Sequence, residues 1–338
     1  MAILKLLLKE LIRKRESDME YIKLGNTNIE ISRLCMGCMS FGDPASNMHA
    51  WTLNPEETEK IVKKSLDLGI NFFDTANCYS AGTSEEYLGL ALKNNIARNK
   101  VVIATKVYFN EGHLSKEAIP REVEGSLKRL GTDYIDLLII HRFDYGTPIE
   151  ETMEALDKVV KSGKVRAIGA SAMYGYQFLK MQYIAEKNNW TKFVSMQNHY
   201  NLLYREDERE LIPICDDMNV SRTSYSPLAG GRLSRPTWSA DTLRSKTDEA
   251  AANKYDSTKD MDMEIVKRVE ELAKRKNVSM TEISLAWQLA KGVASPIIGV
   301  TKEKYLDDAV GAFNVKLSKQ DIDYLEELYV PHKVVGAL

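Results

Sequence analysis

Short apolar segments of strand length alternate with longer segments of helical periodicity through most of this 338-residue chain. Strands that are separated by helices pair in parallel, because a helical crossover returns the chain to the same edge of the sheet. Eight such units close naturally into a (β/α)8 TIM barrel. The sequence therefore predicts an α/β barrel. The eight strand candidates cover residues 34–37, 70–74, 101–105, 134–140, 165–169, 193–196, 220–224 and 296–299.

Two further elements flank the predicted barrel. Residues 21–24 and 29–31 enclose the turn Gly25-Asn26-Thr27-Asn28 and predict a β-hairpin, which we place at the bottom of the barrel. The chain from Leu317 is predicted to pack outside as a final helix, and residues 229–262 form a long insertion. No linker is evident, so residues 19–338 are interpreted as one domain. Barrel helices are predicted over 55–68, 84–94, 116–130, 149–161, 174–188, 206–218, 264–276 and 281–291.

A doubly wound open sheet is the competing architecture for alternating strands and helices. Such a sheet binds dinucleotides through Gly-x-Gly-x-x-Gly after an early strand, and this chain has no such motif there. The sequence therefore favours the barrel over the open sheet.

The first eighteen residues differ from the rest of the chain. Apolar side chains fall on one helical stripe with Lys and Arg around it, which predicts an amphipathic extension over residues 1–18. One interpretation is an additional helix upstream of a second possible start at Met19; the other is an anchor on an anionic membrane surface. Lys5 and Lys9 interrupt the apolar stretch, which argues against a signal peptide. Any membrane contact is expected only through this extension.

Composition limits the classes of partner. The 46 basic and 48 acidic residues give a formal net charge of −2, which argues against nucleic acid as the main partner. No apolar run reaches the length of a transmembrane helix. Four cysteines in 338 residues do not make a disulfide framework, so we expect a reducing, cytoplasmic compartment.

Polar side chains stand where three consecutive barrel strands are predicted to end. Asp74 ends the strand after Phe73, Lys106 ends the next, and His141 ends the third. Tyr79 follows Asp74 in the loop, before a helix that we expect Ser84 to cap. Because the carboxyl ends of all barrel strands meet at one rim, these four residues are predicted to share a site.

The four side chains complement one another as a general-acid site. A phenol with an ordinary pKa near about 10 is a weak acid at neutral pH. A neighbouring Lys106 ammonium is expected to lower the pKa of Tyr79, and Asp74 to keep that lysine charged and oriented. His141 is expected to donate a hydrogen bond to a carbonyl oxygen. Since the set contains no nucleophile, a cofactor must supply hydride.

Several other residues have two interpretations each. Cys35-x-x-Cys38 is compatible with a redox pair or half a zinc site, or with two packed thiols. Cys78 is an oxidisable neighbour of Tyr79 or a packed thiol. His49 and Trp51 line the substrate pocket or are ordinary loop residues, and His199 is interpreted as structural.

Several motifs resemble the aldo-keto reductase superfamily. They are F-D-T-A-N-C-Y-S-A-G-T-S-E-E-Y-L-G over residues 73–89, A-T-K at 104–106, the strand 136–141 and Y-S-P-L-A-G-G-R-L over 225–233. The segments 171–174, 197–206 and 329–332 are similar to the aryl-alcohol dehydrogenase-like branch. The resemblance covers about residues 19–335 in order. It implies an NADP(H)-dependent reductase of aldehydes or ketones, with aryl aldehydes the best candidates, and with Asp74, Tyr79, Lys106 and His141 as its tetrad and Tyr79 as the acid.

The same resemblance implies the contacts of an NADPH cofactor. Ser171 and Gln197 match residues that hold the nicotinamide carboxamide, and Tyr225 matches the aromatic residue that stacks on the nicotinamide ring. Ser226, Pro227 and Leu228 with Arg232 resemble the diphosphate loop, while Gly299, Thr301 and Lys302 match the segment around the 2′-phosphate. Independently, Thr301 and Lys302 lie between a predicted strand and a helix start, a position that favours anions.

Some positions depart from the family pattern. Tyr305 stands where many members have Gln, and Ala309 where many have Asn, so the adenine contacts and the preference for NADPH over NADH are less defined than hydride transfer. The resemblance also implies a monomer or weak oligomer. The alternative function is a redox sensor like the potassium-channel β-subunits of the superfamily, and a barrel isomerase or metal hydrolase is disfavoured by the lack of a clustered ligand set.

Overall fold

The computed structural model describes residues 19–46 and 48–334. The amphipathic extension predicted over 1–18 lies outside the described residues. Two sheets are present: a two-stranded antiparallel sheet and an eight-stranded sheet in which all pairs are parallel. The strands are β1 (Tyr21–Lys23), β2 (Glu30–Ser32), β3 (Cys35–Gly37), β4 (Phe72–Asp74), β5 (Val102–Val107), β6 (Ile135–Ile140), β7 (Val165–Ser171), β8 (Phe193–Gln197), β9 (Ser221–Arg222) and β10 (Ile297–Ile298).

The eight-stranded sheet closes on itself. Its strands follow the order β10-β3-β4-β5-β6-β7-β8-β9, so β9 and β10 stand at its two ends. Backbone hydrogen bonds join these ends, from Ala294 N to Arg222 O and from Ile297 N to Ser224 O, each 2.9 Å long. The predicted (β/α)8 barrel is therefore confirmed.

Helices cover the outside of the sheet. Those of the barrel layer bury one apolar face, as α4 does with Met153, Leu156 and Val159 at helical spacing. The α-helices are α1 (Pro55–Asp67), α2 (Thr83–Asn95), α3 (Ala118–Leu130), α4 (Ile149–Lys161), α5 (Gly175–Lys187), α6 (Leu211–Asp217), α7 (Leu243–Thr247), α8 (Glu249–Tyr255), α9 (Lys259–Lys276), α10 (Met280–Ala290), α11 (Lys304–Gly311) and α12 (Lys319–Glu326). None of these described helices is both long and apolar enough to cross a membrane.

The hairpin lies where it was predicted. Leu24 and Ile31 are fully buried and pack against Phe72, Val102 and Leu137, on the inner face of the barrel strands. Phe72 and Val102 are the first residues of their strands, so the hairpin closes the amino-terminal end of the barrel. The opposite end stays free for a site.

The structure corrects three local predictions. Helix α2 begins at Thr83 after Gly82 in the left-handed conformation, and Ser84 does not cap it. Ser84 is buried and its hydroxyl donates to Cys38 O at 2.7 Å, fastening the helix start to the loop after β3. The predicted helix over 206–218 is interrupted at Glu210, and the insertion contains α7, α8 and the first turn of α9.

The carboxyl-terminal segment is fixed to the barrel by ionic contacts. Helix α12 follows Leu317 as predicted, and Glu326 pairs with Arg205 at 2.7 Å. Beyond the helix, His332 Nε2 lies 2.9 Å from an oxygen of Asp262, a carboxylate that is 1% exposed. Burial opposes protonation, but the Asp262 hydrogen bond and charge outweigh it and raise the pKa of His332 above its ordinary value. Glu206 acts in the same direction.

This pair predicts a pH-dependent stability. A raised pKa in the folded state stabilises the protein fully below the ordinary histidine pKa, and the contribution disappears as pH rises through the folded pKa. We expect the urea midpoint of the wild type to fall between mildly acid and mildly alkaline pH by more than that of His332→Gln. The matched control is His113→Gln, on an exposed loop. Equal pH dependence in wild type and His332→Gln would contradict the prediction.

Candidate active site

Alternation along the strands places the predicted residues inside the barrel. In β5, Val102 and Ala104 belong to the interior cluster, whereas Ile103 packs outward. Successive side chains of a strand point to opposite faces, so Lys106 shares the interior face and is fully buried. The same alternation in β4 brings Asp74 inward after Phe72. The two charged groups therefore meet at the carboxyl-terminal rim.

Lys106 and Asp74 form a buried ion pair. Lys106 Nζ lies 2.5 Å from Asp74 Oδ1 and also donates to Thr75 O at 2.8 Å. The second carboxylate oxygen accepts a hydrogen bond from Gln197 Nε2 at 2.8 Å. The residues that make these short contacts all lie close to the carboxyl-terminal end of a barrel strand. The ion pair is thus fixed in position by three strands of the barrel.

Gln197 reaches Asp74 because β8 is irregular. The consecutive residues Ile168 and Gly169 of β7 pair with Phe193 and Ser195 of β8. Val194 therefore has no partner on β7. Such a bulge shifts the alternation of side chains. Val194 packs against the interior cluster while Phe193 and Met196 pack outward.

Tyr79 is held beside the ion pair by a constrained turn. Its hydroxyl accepts a hydrogen bond from Lys106 Nζ at 3.4 Å. Ser80 and Ala81 have φ values of 46° and 54°, and Gly82 follows at 96°. Left-handed conformations cost non-glycine residues free energy and persist only where the surroundings impose them. Thr83 imposes this turn, since its hydroxyl donates to Ser80 O at 2.7 Å and accepts from Asp43 N at 2.9 Å.

The pKa of Tyr79 corrects the electrostatic expectation. Burial raises the pKa of this phenol to about 12, and the Lys106 ammonium lowers it by less than burial raises it. The lysine acts in the predicted direction, but the expectation of a net lowered pKa was wrong for the protein alone. The pKa of Lys106 is itself raised, because Asp74 outweighs the burial that would lower it. Lysine and phenol therefore both hold protons at neutral pH.

His141 faces the phenol across the site. The two ring centroids are 5.7 Å apart at an angle of 76°. Burial, with Lys106 and Arg142 nearby, lowers the pKa of His141 well below its ordinary value, so the imidazole is neutral. Its Nδ1 lies 4.0 Å from Cys78 Sγ. A thiol proton directed at Nδ1 leaves the hydrogen on Nε2, where it can be donated to a ligand.

These residues open into a cavity of about 710 Å³ at the rim. The cavity wall includes Asp74, Tyr79 and His141, whereas Lys106 lies beneath it. His49 and Trp51 also line it and stack at 4.5 Å between ring centroids, so the pocket interpretation of these two residues holds. A cavity of this size is typical of small-molecule sites.

The residues expected to bind a cofactor divide into two groups. One group lines the same cavity: Ser171, Gln197, Tyr225, Ser226 and Gly299. The other group does not line it: Pro227, Leu228, Arg232, Thr301 and Lys302. Pro227 and Arg232 are buried, while Lys302 is exposed and follows β10 in the chain. The roles of all ten stay predictions.

An arginine that the sequence did not single out lies next to Arg232. Arg232 and Arg244 are neutralised by Asp256 and Asp248, at 2.7 Å and 3.1 Å. Arg235 has no acidic partner within the described residues, and its Nε is buried without a hydrogen bond. Burial and the two neighbouring arginines lower its pKa. The spacing Arg232-x-x-Arg235 was the available signal for this concentration of positive charge.

Two side chains lie against the Tyr225 ring. His199 stacks on it at 5.2 Å with an angle of 8° between the rings, and Lys254 Nζ lies 4.8 Å from the ring centre. His199 is buried, bonded to the Tyr255 hydroxyl at 2.7 Å, and its pKa is lowered by burial. His199 thus supports Tyr225 from behind, in line with a structural role. Lys254 was not predicted, because it lies in the insertion.

The two cysteines of the Cys-x-x-Cys motif are packed inside the protein. Cys35 and Cys38 are buried and free, and burial raises the pKa of both thiols well above the ordinary value. Among residues 19–46 and 48–334, no group of three or more His, Cys, Asp or Glu side chains is arranged to hold a metal ion.

The barrel agrees with what sequence comparison finds. The chain belongs to the Aldo/keto reductase family, whose sequence model matches residues 33–330. The activity of this class is the reduction of carbonyl groups.

Curated relatives extend along nearly the whole chain. A versiconal hemiacetal acetate reductase of Aspergillus parasiticus is 43% identical over 94% of this chain and 98% of its own. A putative aryl-alcohol dehydrogenase of Schizosaccharomyces pombe is 45% identical over 93% of this chain and 97% of its own. Another of that description, from Saccharomyces cerevisiae, is 41% identical over 92% and 97%. The resemblance to this branch is confirmed.

Proposed function

We propose that this protein is an NADPH-dependent reductase that converts aldehydes or ketones to alcohols, with Tyr79 as the general acid. The observation that carries the proposal is the contact of 3.4 Å between the Tyr79 hydroxyl and a lysine ammonium that Asp74 holds in place. Tyr79 stands at the wall of a cavity that His141 also lines. Among the described tyrosines of this wall, Tyr79 is the one whose hydroxyl accepts a hydrogen bond from a cationic side chain.

Each side chain then has a distinct task. Neutral His141 donates a hydrogen bond to the carbonyl oxygen and orients the carbonyl group. Tyr79 donates its proton to that oxygen as negative charge develops there. Lys106 stabilises the resulting phenolate, and Asp74 keeps the ammonium charged and directed at the phenol. A nicotinamide cofactor supplies the hydride.

Three observations support NADPH as the cofactor, one in the cavity wall and two outside it. Ser171, Gln197 and Tyr225 lie together in the wall beside Asp74, where a nicotinamide ring and its amide find polar groups and an aromatic face. The unpartnered Nε of Arg235, next to two further arginines, provides a place for phosphate charge. Lys302, exposed after β10, supplies a further cation for the 2′-phosphate.

Aryl aldehydes are the substrates that we propose first. Phe109 lies edge-on to His141 at 4.9 Å between ring centroids, and Trp51 lines the same cavity. Aromatic side chains in the wall of the cavity favour a flat ring. The relatives from Schizosaccharomyces pombe and Saccharomyces cerevisiae, both described as putative aryl-alcohol dehydrogenases, point to the same chemistry.

The direct test is the oxidation of NADPH by the purified protein with a panel of aromatic and aliphatic aldehydes. We expect turnover that depends on the aldehyde, with aromatic members the better substrates. Tight NADPH binding without turnover on any carbonyl would favour a redox sensor over a reductase. Absence of NADPH binding would refute both.

Coenzyme preference can be tested at Lys302. Loss of one charge-assisted contact to the 2′-phosphate removes about 1.5–3 kcal/mol, which weakens binding about 10- to 100-fold. We expect Lys302→Met to weaken NADPH binding to that extent and to leave NADH binding unchanged, as measured by quenching of protein fluorescence. Lys180→Met, on an exposed position of α5, is the matched control. Equal effects on NADPH and NADH would contradict the assignment.

A further inference from the structure

Arg142 is a charged residue of the cavity wall for which the proposed mechanism has no use. It follows His141 directly and lines the same cavity. Within residues 19–46 and 48–334 it makes no ion pair, and its Nη1 is buried without a hydrogen bond. Buried donors are nearly always partnered, since an unsatisfied one costs free energy, more so when charged. Arg142 therefore has the properties of a group that awaits a ligand.

The position of Arg142 is at the carbonyl end of the cavity. Its guanidinium carbon lies 6.0 Å from the centre of the Phe109 ring. That ring in turn lies 4.9 Å from the His141 ring. Arg235, by contrast, interacts electrostatically with Tyr305, which follows Lys302 by three residues. These two arginines, neither of which has an acidic partner among the described residues, thus belong to different parts of the site.

Positive charge near Arg142 is not compensated by the protein. The two carboxylates that line the cavity are both engaged, Asp74 by Lys106 and Asp248 by Arg244. Lys254, also in the wall, forms no ion pair within the described residues. Burial first, and then Arg142, lowers the pKa of Lys254 to about 8. An anion at this point would relieve repulsion between two cations.

We propose that Arg142 is a specificity-determining residue that binds a carboxylate carried by the carbonyl substrate. The inference rests on the proposed function, since it concerns the substrate of that same site. The guanidinium offers two parallel N–H donors that match a carboxylate, a geometry that lysine lacks. Since Phe109 lies near both Arg142 and His141, the substrate class is an aromatic aldehyde with a carboxylate on the ring, away from the aldehyde group.

The test compares para-formylbenzoate with its methyl ester, which has the same ring and aldehyde but no charge. We expect the wild type to have a kcat/KM about 10- to 100-fold higher for the acid than for the ester, the range for a charged hydrogen bond. Arg142→Gln should bring the ratio of the two kcat/KM values, acid to ester, down to about one, and Arg142→Lys should restore the preference only in part. Arg275→Gln, exposed on α9, is the matched control.

Three results would overturn the inference. If Arg142→Gln lowers kcat/KM equally for acid and ester, the residue serves His141 and not the substrate. If it weakens NADPH binding, Arg142 holds a cofactor phosphate. If the preference for the acid is absent in the wild type or survives in Arg142→Gln, no carboxylate binds there.

A binding measurement separates this inference from the proposed function. Calorimetric binding of para-hydroxymethylbenzoate, the corresponding alcohol, to the protein with NADPH requires no turnover. We expect binding that Arg142→Gln weakens about 10-fold or more. An inactive wild type would refute the reductase, whereas binding unchanged in Arg142→Gln would refute the carboxylate site alone.

Discussion

Tyr79→Phe is expected to lower kcat for aldehyde reduction by about 100- to 10,000-fold, the range for loss of a general acid. The substitution removes only the hydroxyl, so the aromatic contact with His141 at 5.7 Å can persist. Asp74 and Lys106 remain paired beneath it. The defect should therefore lie in proton donation and not in folding or cofactor binding.

Single-turnover measurements with NADPH and an aromatic aldehyde provide the readout. NADPH binding should be unchanged in Tyr79→Phe, and the matched control Tyr183→Phe, on an exposed position of α5, should behave as wild type. Activity of Tyr79→Phe within a few fold of the control would exclude the phenol as the general acid and would make His141 the next candidate.

The pH profile offers an independent check of the same acid. Burial raises the pKa of Tyr79 to about 12, so the phenol keeps its proton throughout the neutral range. The rate of the reduction step should stay level there and fall only when the pH becomes strongly alkaline. A fall near neutral pH would mean that a different group donates, or that the bound cofactor has lowered the pKa of Tyr79 substantially.

Parts of the site that depend on strand alternation could be predicted from the sequence. Asp74 ends β4, Lys106 stands one residue before the end of β5, and His141 directly follows β6. The parallel barrel brings all such ends to one rim. Side chains at every second position of a strand face the same way. The inward orientation of Lys106 could therefore be predicted from that of Val102 and Ala104. These relations are local or topological, and no contact had to be known.

Other features depend on distances that the sequence does not contain. Arg232 and Arg235 look alike in sequence, yet only the first meets an acid, Asp256 in the segment after α8. Arg142 likewise meets no acid among the described residues, and its sequence neighbours do not indicate this. The pKa of Tyr79 is raised because burial raises it by more than Lys106 lowers it. The extent of burial depends on packing, which the sequence does not give. Helices of five and seven residues in the insertion are too short for a periodic signal.

Lys106→Met should have the second large effect, on both stability and activity. Removing one partner of a buried ion pair leaves an uncompensated charge and lowers the free energy of unfolding by about 3–5 kcal/mol. Asp74 is 3% exposed and would keep only the hydrogen bond from Gln197 of those described here. Urea denaturation measures the loss. Lys63→Met, which breaks an exposed pair with Asp67, is the matched control and should cost about 1 kcal/mol or less.

A double variant distinguishes the structural from the catalytic contribution of the pair. In Lys106→Met combined with Asp74→Asn, the buried charge is gone, so much of the lost stability should return, because a buried pair adds little over a neutral replacement. The activity should not return, since no cation remains to stabilise the phenolate of Tyr79. Recovered stability with kcat still as low as in Lys106→Met would show that the ion pair is retained for catalysis. A double variant as unstable as the sum of the two single losses would show instead that each residue stabilises the barrel independently.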